Sequence, residues 1–257
     1  MTDARFHEMP DGRRIAFRHS AGEGPTLVFL PGYMSDMAGG KATAIFAEAK
    51  AKGRACLLLD YSGCGESSGD FADGTLSRWR EEVMALIDAY AEGTVLVTGS
   101  SMGGWIMLQL ALARPARVIG LVGIASAPDF TRALAEGGLA PEQMLQLELS
   151  GFCDLANCYD DGEPYRISRE LLEEGNRHCL LDDDCIAIDV PVRLLHGQCD
   201  EDVPWQRALQ LAEKLRSTDV EVQLVKDGDH RLSRPVDLAR LARALEVLLA
   251  QLENGHE

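Results

Sequence analysis

The chain has 257 residues, 46% of them hydrophobic, and a formal net charge of −16 at pH 7. A chain of this length and composition can bury the core of one large domain. Its acidic charge repels nucleic-acid backbones and anionic membrane surfaces, so it argues against both as partners and favours a neutral or cationic partner.

The apolar segments also argue against secreted and membrane-spanning proteins. The first residues, MTDARFHEMPDGRR, lack the apolar core of a secretory signal, and no apolar run approaches the roughly 20 residues that span a bilayer. We therefore predict a cytoplasmic protein with no transmembrane segment. The seven cysteines form no C-x-x-C pair and no histidines are paired at ligand spacing, so we predict free thiols, no metal and no cofactor.

Short runs of leucine and β-branched residues alternate with longer periodic segments, which is typical of strand–helix–strand units around a mostly parallel sheet. The last five predicted strands are nearly unbroken apolar runs, so we expect them to be inner strands, whereas the first alternates and fits an antiparallel edge. The fold class is therefore α/β. In chain order, the predicted strands are 14–20, 26–31, 55–61, 94–99, 118–126, 192–197 and 221–226.

Apolar residues at three- and four-residue spacing predict three amphipathic helices, within 76–90, 209–215 and 238–252. A fourth segment, 102–113, is apolar almost all round and predicts a buried helix that ends before Pro115.

Residues 128–189 interrupt this rhythm. There LAPEQMLQLEL and SRELLEEGNRH read as helices between polar loops that contain glycine. We predict that 128–189 is a helical cap inserted into a core formed by residues 1–127 and 190–257.

A candidate nucleophile lies between the strand at 94–99 and the buried helix. The segment Gly99-Ser100-Ser101-Met102-Gly103 matches G-x-S-x-G with Ser101 at its centre, in the strand–turn–helix context that the motif requires. The flanking glycines leave space for the strained backbone that presents the serine hydroxyl. Because a glycine-rich turn between two buried elements would look similar, the interpretation depends on finding a base and an acid.

A serine hydroxyl needs a neighbouring base, and that base needs an orienting group. In this architecture the acid and then the histidine follow the serine, on loops after later strands. His230 follows the last strand after an Asp-Gly turn and is the predicted base. Asp200, in the loop after the strand at 192–197, is the predicted acid. The alternatives are Asp202 or Glu201 beside it, and Asp129 after the strand at 118–126.

An acyl-transfer site also needs N–H donors for the developing oxyanion. The N–H of Met102, at the start of the helix after Ser101, is one candidate. The second is expected in the turn after the strand at 26–31, at Tyr33, with Met34 as the alternative.

The glycines within LLLDYSGCGESSGDF suggest a phosphate-binding loop, but the segment matches neither nucleotide fingerprint. We interpret 60–67 as a structural loop at the rim of the site. Cys64 within it is expected to be a buried or rim thiol and not a nucleophile, since no base lies nearby in the sequence.

With these residues assembled, the chain resembles the α/β-hydrolase superfamily over nearly its whole length. More narrowly, the chain resembles a bacterial member of the family of the mitochondrial abhydrolase domain-containing protein ten. The resemblance lies in four segments: FLPGYMSDMAGGKA, DYSGCGESSGD, GSSMGGWIML and RLLHGQCDEDVPW. That family is described as acyl-protein thioesterases and acyl-glucuronide esterases. The resemblance implies an eight-stranded core, a helical cap over the site and a serine nucleophile.

We therefore expect a serine hydrolase of carboxylic esters or thioesters. Its substrate would be a small-molecule ester or an acylated thiol, including the thiol of an S-acylated protein. A cofactor-free perhydrolase or an amidase could use the same three residues, and a non-catalytic binding module could share the fold. Some apolar cap residues should face the nucleophile and favour acyl chains: Leu134, Leu139, Met144, Leu147, Leu149 and Phe152. Anionic leaving groups should be captured slowly unless Arg132 or Arg166 offsets the acidic field.

Overall fold

A computed structural model describes residues 3–156 and 164–254 of the chain. Within these residues lie ten strands and eight α-helices. The strands are β1 (Arg5–Glu8), β2 (Arg14–Ser20), β3 (Glu23–Leu30), β4 (Arg54–Leu59), β5 (Val95–Ser100), β6 (Val118–Ile124), β7 (Phe152–Leu155), β8 (Tyr165–Ser168), β9 (Val192–Gly197) and β10 (Val220–Val225). The helices are α1 (Gly40–Ala51), α2 (Leu76–Tyr90), α3 (Met102–Ala113), α4 (Phe130–Ala133), α5 (Pro141–Ser150), α6 (Arg169–Gly175), α7 (Gln206–Lys214) and α8 (Pro235–Asn254).

Eight strands form one sheet in the order β1-β2-β4-β3-β5-β6-β9-β10. β2 pairs antiparallel with β1 and β4, and every other pairing in this sheet is parallel. The predicted α/β class and the mostly parallel eight-stranded sheet are therefore confirmed.

Two predicted strand positions were wrong. β2 is not the edge strand, because β1, which the sequence reading missed, pairs outside it. β10 is the opposite edge of the sheet instead of an inner strand, and its residues alternate between exposed and partly buried until Val225. β3 lies between β4 and β5, and its last five residues are buried.

Helices cover both faces of the sheet, as strand residues buried on both sides require. α2 and α3 pack on one face, where Trp79 and Trp105 are fully buried. α1 and α8 pack on the other face, where Phe46 and Leu248 belong to a second apolar cluster. In α7 the buried residues are Ala208 and Leu211, whereas Leu209, which we expected on the apolar face, is exposed.

The chain between β6 and β9 contains α4, α5, β7, β8 and α6. The two predicted cap helices correspond to α5 and α6, but β7 and β8 form an antiparallel pair that the sequence did not predict. A small apolar cluster that includes Leu139, Leu147 and Ile167 holds these elements together. That the stretch 128–189 acts as a separate cap remains a prediction. Among the described helices, none has the length and apolar character needed to cross a membrane.

Candidate active site

Ser101 occupies the turn between β5 and α3. Its backbone angles, φ 53° and ψ −120°, lie in the positive-φ region that side chains other than glycine rarely adopt. The Ser101 N–H donates to the carbonyl oxygen of Ile124 at the end of β6, at 2.9 Å. This contact fixes the strained turn against the neighbouring strand.

The glycines on either side of Ser101 are required by close packing. A Cβ at Gly99 would overlap the backbone of Gly103. A Cβ at Gly103 would overlap the carbonyl oxygens of Leu30 and Pro31, where β3 ends. The two glycines therefore let the start of α3 approach both β5 and the turn after β3.

The structure brings the predicted base and acid to Ser101. His230 Nε2 lies 3.0 Å from Ser101 Oγ, and His230 Nδ1 lies 2.8 Å from Asp200 Oδ2. Asp200 follows β9 and His230 follows β10, so the loops at the carboxyl ends of three parallel strands meet here. In this arrangement the serine hydroxyl can donate to Nε2 while Nδ1–H donates to the carboxylate.

The Asp200 side chain is fully buried, at 0% exposure, and is surrounded by donors. Oδ1 accepts backbone N–H groups from Asp202 at 3.0 Å and from Val203 at 2.8 Å. Burial by itself would raise the pKa of the Asp200 carboxyl, but hydrogen bonds from His196 and His230 hold that pKa well below its usual range. Asp200 is therefore ionised at neutral pH and can stabilise a protonated His230.

The alternative acids have other contacts. Asp129 accepts the backbone N–H groups of Leu180 and Leu181 at 2.8–3.1 Å and so joins the start of α4 to the chain beyond α6. Asp202 lines the cleft that contains Ser101, and its backbone N–H donates a hydrogen bond to Asp200 Oδ1. The structure thus places Asp200, and not Asp129, beside His230.

The two predicted oxyanion donors both lie next to Ser101. Met102 is the first residue of α3, so its N–H precedes the hydrogen-bonded turns of the helix. A Cβ at Gly32 would lie 3.3 Å from Ser101 Cβ, which places the turn containing Gly32 and Tyr33 against the serine. Both residues line the same cleft as Ser101.

The side chain of Tyr33 links this turn to the cap segment. Its hydroxyl donates to the carbonyl oxygen of Arg166 in β8. Burial raises the pKa of the Tyr33 phenol far above its usual value, so the hydroxyl keeps its proton. The ring packs edge-on against Phe130 and Tyr165, which also line the cleft.

The cleft over Ser101 has a volume of about 480 Å³, within the range of small-molecule sites. Apolar and aromatic side chains from the segment between β6 and β9 form part of its lining: Phe130, Ala133, Leu134, Leu155, Tyr165 and Ile167. Of the cap residues that we predicted to face the nucleophile, Leu134 lines the cleft. Leu139 and Leu147 pack within the cap, whereas Met144 and Leu149 are exposed.

A family model described as "Alpha/beta hydrolase family" matches residues 27–241 of the chain. The chain belongs to this family. Within the family, human "Palmitoyl-protein thioesterase ABHD10, mitochondrial" is 38% identical over 251 residues, which cover 98% of this chain and 81% of the human protein. The Mus musculus protein of the same name is 40% identical over 245 residues, covering 95% of this chain and 81% of the mouse protein.

Solved structures of alpha/beta hydrolases agree with this assignment. Alpha/beta hydrolase domain-containing protein 10 from mouse has a TM-score of 0.89 at 39% identity and covers 98% of this chain and 100% of that one. A structure from Agrobacterium vitis S4 has a TM-score of 0.90 at 39% identity and covers 96% and 100%. Est1E from Butyrivibrio proteoclasticus, at 18% identity and a TM-score of 0.79, shares the fold. The predicted family resemblance is therefore confirmed.

The positive charges near this alpha/beta-hydrolase cleft are not the ones that the sequence suggested. Arg132 forms an ion pair with Asp182, and Arg166 lies 3.0 Å from Asp154, so carboxylates neutralise both arginines. Lys41 lines the cleft instead and donates to the carbonyl oxygen of Arg231, the residue after His230. Burial lowers the pKa of Lys41 to about 8. Lys41 belongs to the segment FLPGYMSDMAGGKA, but nothing in that segment indicated that its side chain would line the cleft.

Two further sequence predictions concern thiols and metals. Burial raises the pKa of the Cys64 thiol to about 12, so it stays protonated at neutral pH, in line with a structural role. Among the described residues, one group of three potential metal ligands occurs: Asp200, Asp202 and His230, with ligand atoms within 4.8 Å of one another. Both oxygens of Asp200 and both ring nitrogens of His230 are already hydrogen-bonded, so a cation would compete with those bonds.

Proposed function

We propose that the protein is a serine hydrolase that cleaves carboxylic esters or thioesters through an acyl-enzyme. The observation that carries the proposal is the continuous hydrogen-bonded chain Ser101–His230–Asp200, with contacts of 3.0 and 2.8 Å, at the floor of an apolar cleft. A nucleophile, a base and an orienting carboxylate in this order are what acyl transfer by a serine requires.

In the proposed reaction, His230 Nε2 accepts the hydroxyl proton of Ser101 as Oγ attacks the substrate carbonyl carbon. The carboxylate of Asp200 stabilises the imidazolium that forms. His230 then returns the proton to the leaving alcohol or thiol, and the acyl group remains on Ser101. In the second half of the cycle, His230 activates a water molecule that hydrolyses the acyl-enzyme.

The oxyanion that forms in each half-reaction would be bound by the N–H groups of Met102 and Tyr33. The support for this pair is that both residues line the cleft and that the Gly32–Tyr33 turn lies against Ser101. Backbone donors fixed in this way stabilise a tetrahedral intermediate without reorganising, which makes them effective in catalysis.

The acyl side of the substrate would occupy the apolar part of the cleft, against Phe130, Leu134, Leu155 and Ile167. Each methylene buried there contributes up to about 0.8 kcal/mol, which corresponds to a few-fold in kcat/KM. The relatives named palmitoyl-protein thioesterase support a thioester among the substrates, and with it an S-acylated protein as a partner. Their names also place those proteins in mitochondria, so a cytoplasmic location for this chain stays a prediction.

The test combines covalent labelling with a substrate series. A fluorophosphonate should label the purified protein at Ser101, and Ser101→Ala should abolish labelling and lower kcat by about a million-fold with an unchanged fold. Matched p-nitrophenyl esters and acyl thioesters of two to sixteen carbons should show kcat/KM rising from acetyl upward. A labelled serine other than Ser101, or turnover retained in Ser101→Ala, contradicts the mechanism. A profile that falls with every added carbon contradicts the acyl pocket.

A further inference from the structure

Asp200 contacts a second histidine besides His230. His196, at the end of β9, places Nε2 3.0 Å from Asp200 Oδ2, the same oxygen that His230 contacts at 2.8 Å. The His196 side chain is 1% exposed, and no charged group other than Asp200 is bonded to it in the described residues. A buried histidine bonded to a buried carboxylate indicates a role for His196 beyond packing in the core.

The surroundings of His196 fix where its proton lies. Nε2 also lies 3.0 Å from the carbonyl oxygen of Val203, so both neighbours of this nitrogen are acceptors and Nε2 carries the hydrogen. Nδ1 is buried without a hydrogen-bond partner among the described residues. A proton on Nδ1 would create a buried donor with no acceptor, which is costly. These contacts place a hydrogen on Nε2 of His196, and Nδ1 has no partner among the described residues to which it could pass a proton.

We propose that His196 is a positioning residue for the reaction, one that fixes the rotamer of Asp200 so that Oδ2 stays directed at His230 Nδ1. This inference rests on the proposed function. Two backbone N–H groups donate to Oδ1, and the two histidines contact Oδ2, so hydrogen bonds fix both oxygens of the carboxylate. Without His196, His230 would be the one remaining side-chain partner of Oδ2 among the described residues.

Loss of the His196 donor should also change the charge that His230 meets. A carboxylate that is free to turn away from His230 stabilises the protonated form of His230 less well. The acid limb of the kcat/KM profile should therefore move to lower pH. The other charged or titratable groups near this pair, Asp202 on the β9 loop and Lys41 and Arg231 at the cleft, remain in place when His196 is replaced.

Three substitutions separate the donor from the packing. His196→Phe keeps a ring but removes the donor, His196→Gln can place an amide N–H near the position of Nε2, and His196→Asn carries the same amide too short to reach. We expect His196→Phe and His196→Asn to lower kcat by about 10- to 100-fold with KM changed less than about twofold, the loss typical of outer partners of metal-bound histidines. Their acid limbs should move to lower pH. His196→Gln should stay within about fivefold of the wild-type kcat.

Rates are normalised to the number of serines labelled by a fluorophosphonate at completion, so that loss of folded protein does not count as loss of rate. The inference is overturned if His196→Phe has the wild-type kcat per labelled site and the wild-type acid limb, or if His196→Gln is no better than His196→Asn. If His196→Phe does not fold, the comparison of kcat per labelled site between His196→Gln and His196→Asn tests the inference instead.

A measurement without substrate separates this inference from the proposed function. The low-field proton NMR resonance of the hydrogen between His230 Nδ1 and Asp200 should shift and exchange faster with water in His196→Asn than in wild type and His196→Gln. An unchanged resonance overturns the positioning role, whatever the activity. An unlabelled Ser101 or an active Ser101→Ala, in contrast, overturns the proposed function and leaves this resonance as the test of His196.

Discussion

Replacing Asp200 by asparagine should strongly lower kcat of the proposed reaction, because it changes the tautomer of His230. One oxygen of Asp200 accepts two backbone N–H groups, which cannot be turned into acceptors, so the asparagine oxygen must take that position. Its NH₂ group then faces His196 and His230, at the position of Oδ2. His230 can avoid a donor–donor contact only by accepting at Nδ1 and carrying its proton on Nε2.

The consequence for rate can be estimated from this geometry. A proton on Nε2 points at Ser101 Oγ, 3.0 Å away, and removes the lone pair that would accept the hydroxyl proton. The variant lacks both the base in its working form and the negative charge that stabilises the imidazolium. The corresponding substitution in a trypsin-like serine protease lowers kcat about ten-thousand-fold with the geometry intact, and we expect a loss on that order.

The assay is steady-state hydrolysis of a p-nitrophenyl ester, with Asp129→Asn as the matched control. Asp129 is also a buried aspartate that accepts two backbone N–H groups, but it contacts the cap segment and not His230. Its variant should keep kcat within about threefold of wild type if it folds. A loss of less than about tenfold in Asp200→Asn, or a larger loss in Asp129→Asn than in Asp200→Asn, would refute the assignment of the acid.

Three further predictions concern the surroundings of the site. Tyr33→Phe removes the hydroxyl bond to the Arg166 carbonyl, so Tm should fall by roughly 2–4 °C for the ~1 kcal/mol of one hydrogen bond; an unchanged melt would show that this contact adds no stability. Because burial lowers the pKa of Lys41 to about 8, the cleft loses this positive charge as pH rises above 8. The kcat/KM ratio of an anionic to a neutral ester should then fall about two- to fivefold between pH 7 and 9, and a ratio that falls equally in Lys41→Met would assign the effect elsewhere. Gly103→Ala should lower the free energy of unfolding by about 1–3 kcal/mol, because the added Cβ would overlap neighbouring backbone atoms. Gly40→Ala is the control, since the space around its Cβ is open. Equal unfolding midpoints for the two variants would contradict the packing argument.

The sequence was most informative where chemistry and local structure impose the same pattern. The turn around Ser101 needs glycines on both sides, a buried strand before it and a helix after it, and all of these leave recognisable residues. The predicted helix 102–113 coincides with α3. Asp200 and His230 could be placed because each follows a predicted strand, and the carboxyl ends of parallel strands lie at one edge of the sheet.

Features that depend on tertiary contacts were missed or misplaced. β1, β7 and β8 are only four residues long, too short for a periodic pattern. β10 was predicted to be an inner strand, but the exposure that marks an edge depends on whether another strand pairs beside it. The contact between His196 and Asp200 depends on the conformation of the loop after β9, which spacing alone does not specify.

The wide separation of Ser101, Asp200 and His230 along the chain has a consequence for how the protein acquires its chemistry during synthesis. Ser101 and His230 are 129 residues apart, and the sheet that joins their loops is closed by β9 and β10 near the end of the chain. Such non-local contacts form only after the entropy of closing long loops has been overcome. A nascent chain that has emerged as far as β6 contains Ser101 and the strand that fixes its turn, but not its proposed base. Under the proposed mechanism, Ser101 therefore meets its base only after β9 and β10 have joined the sheet.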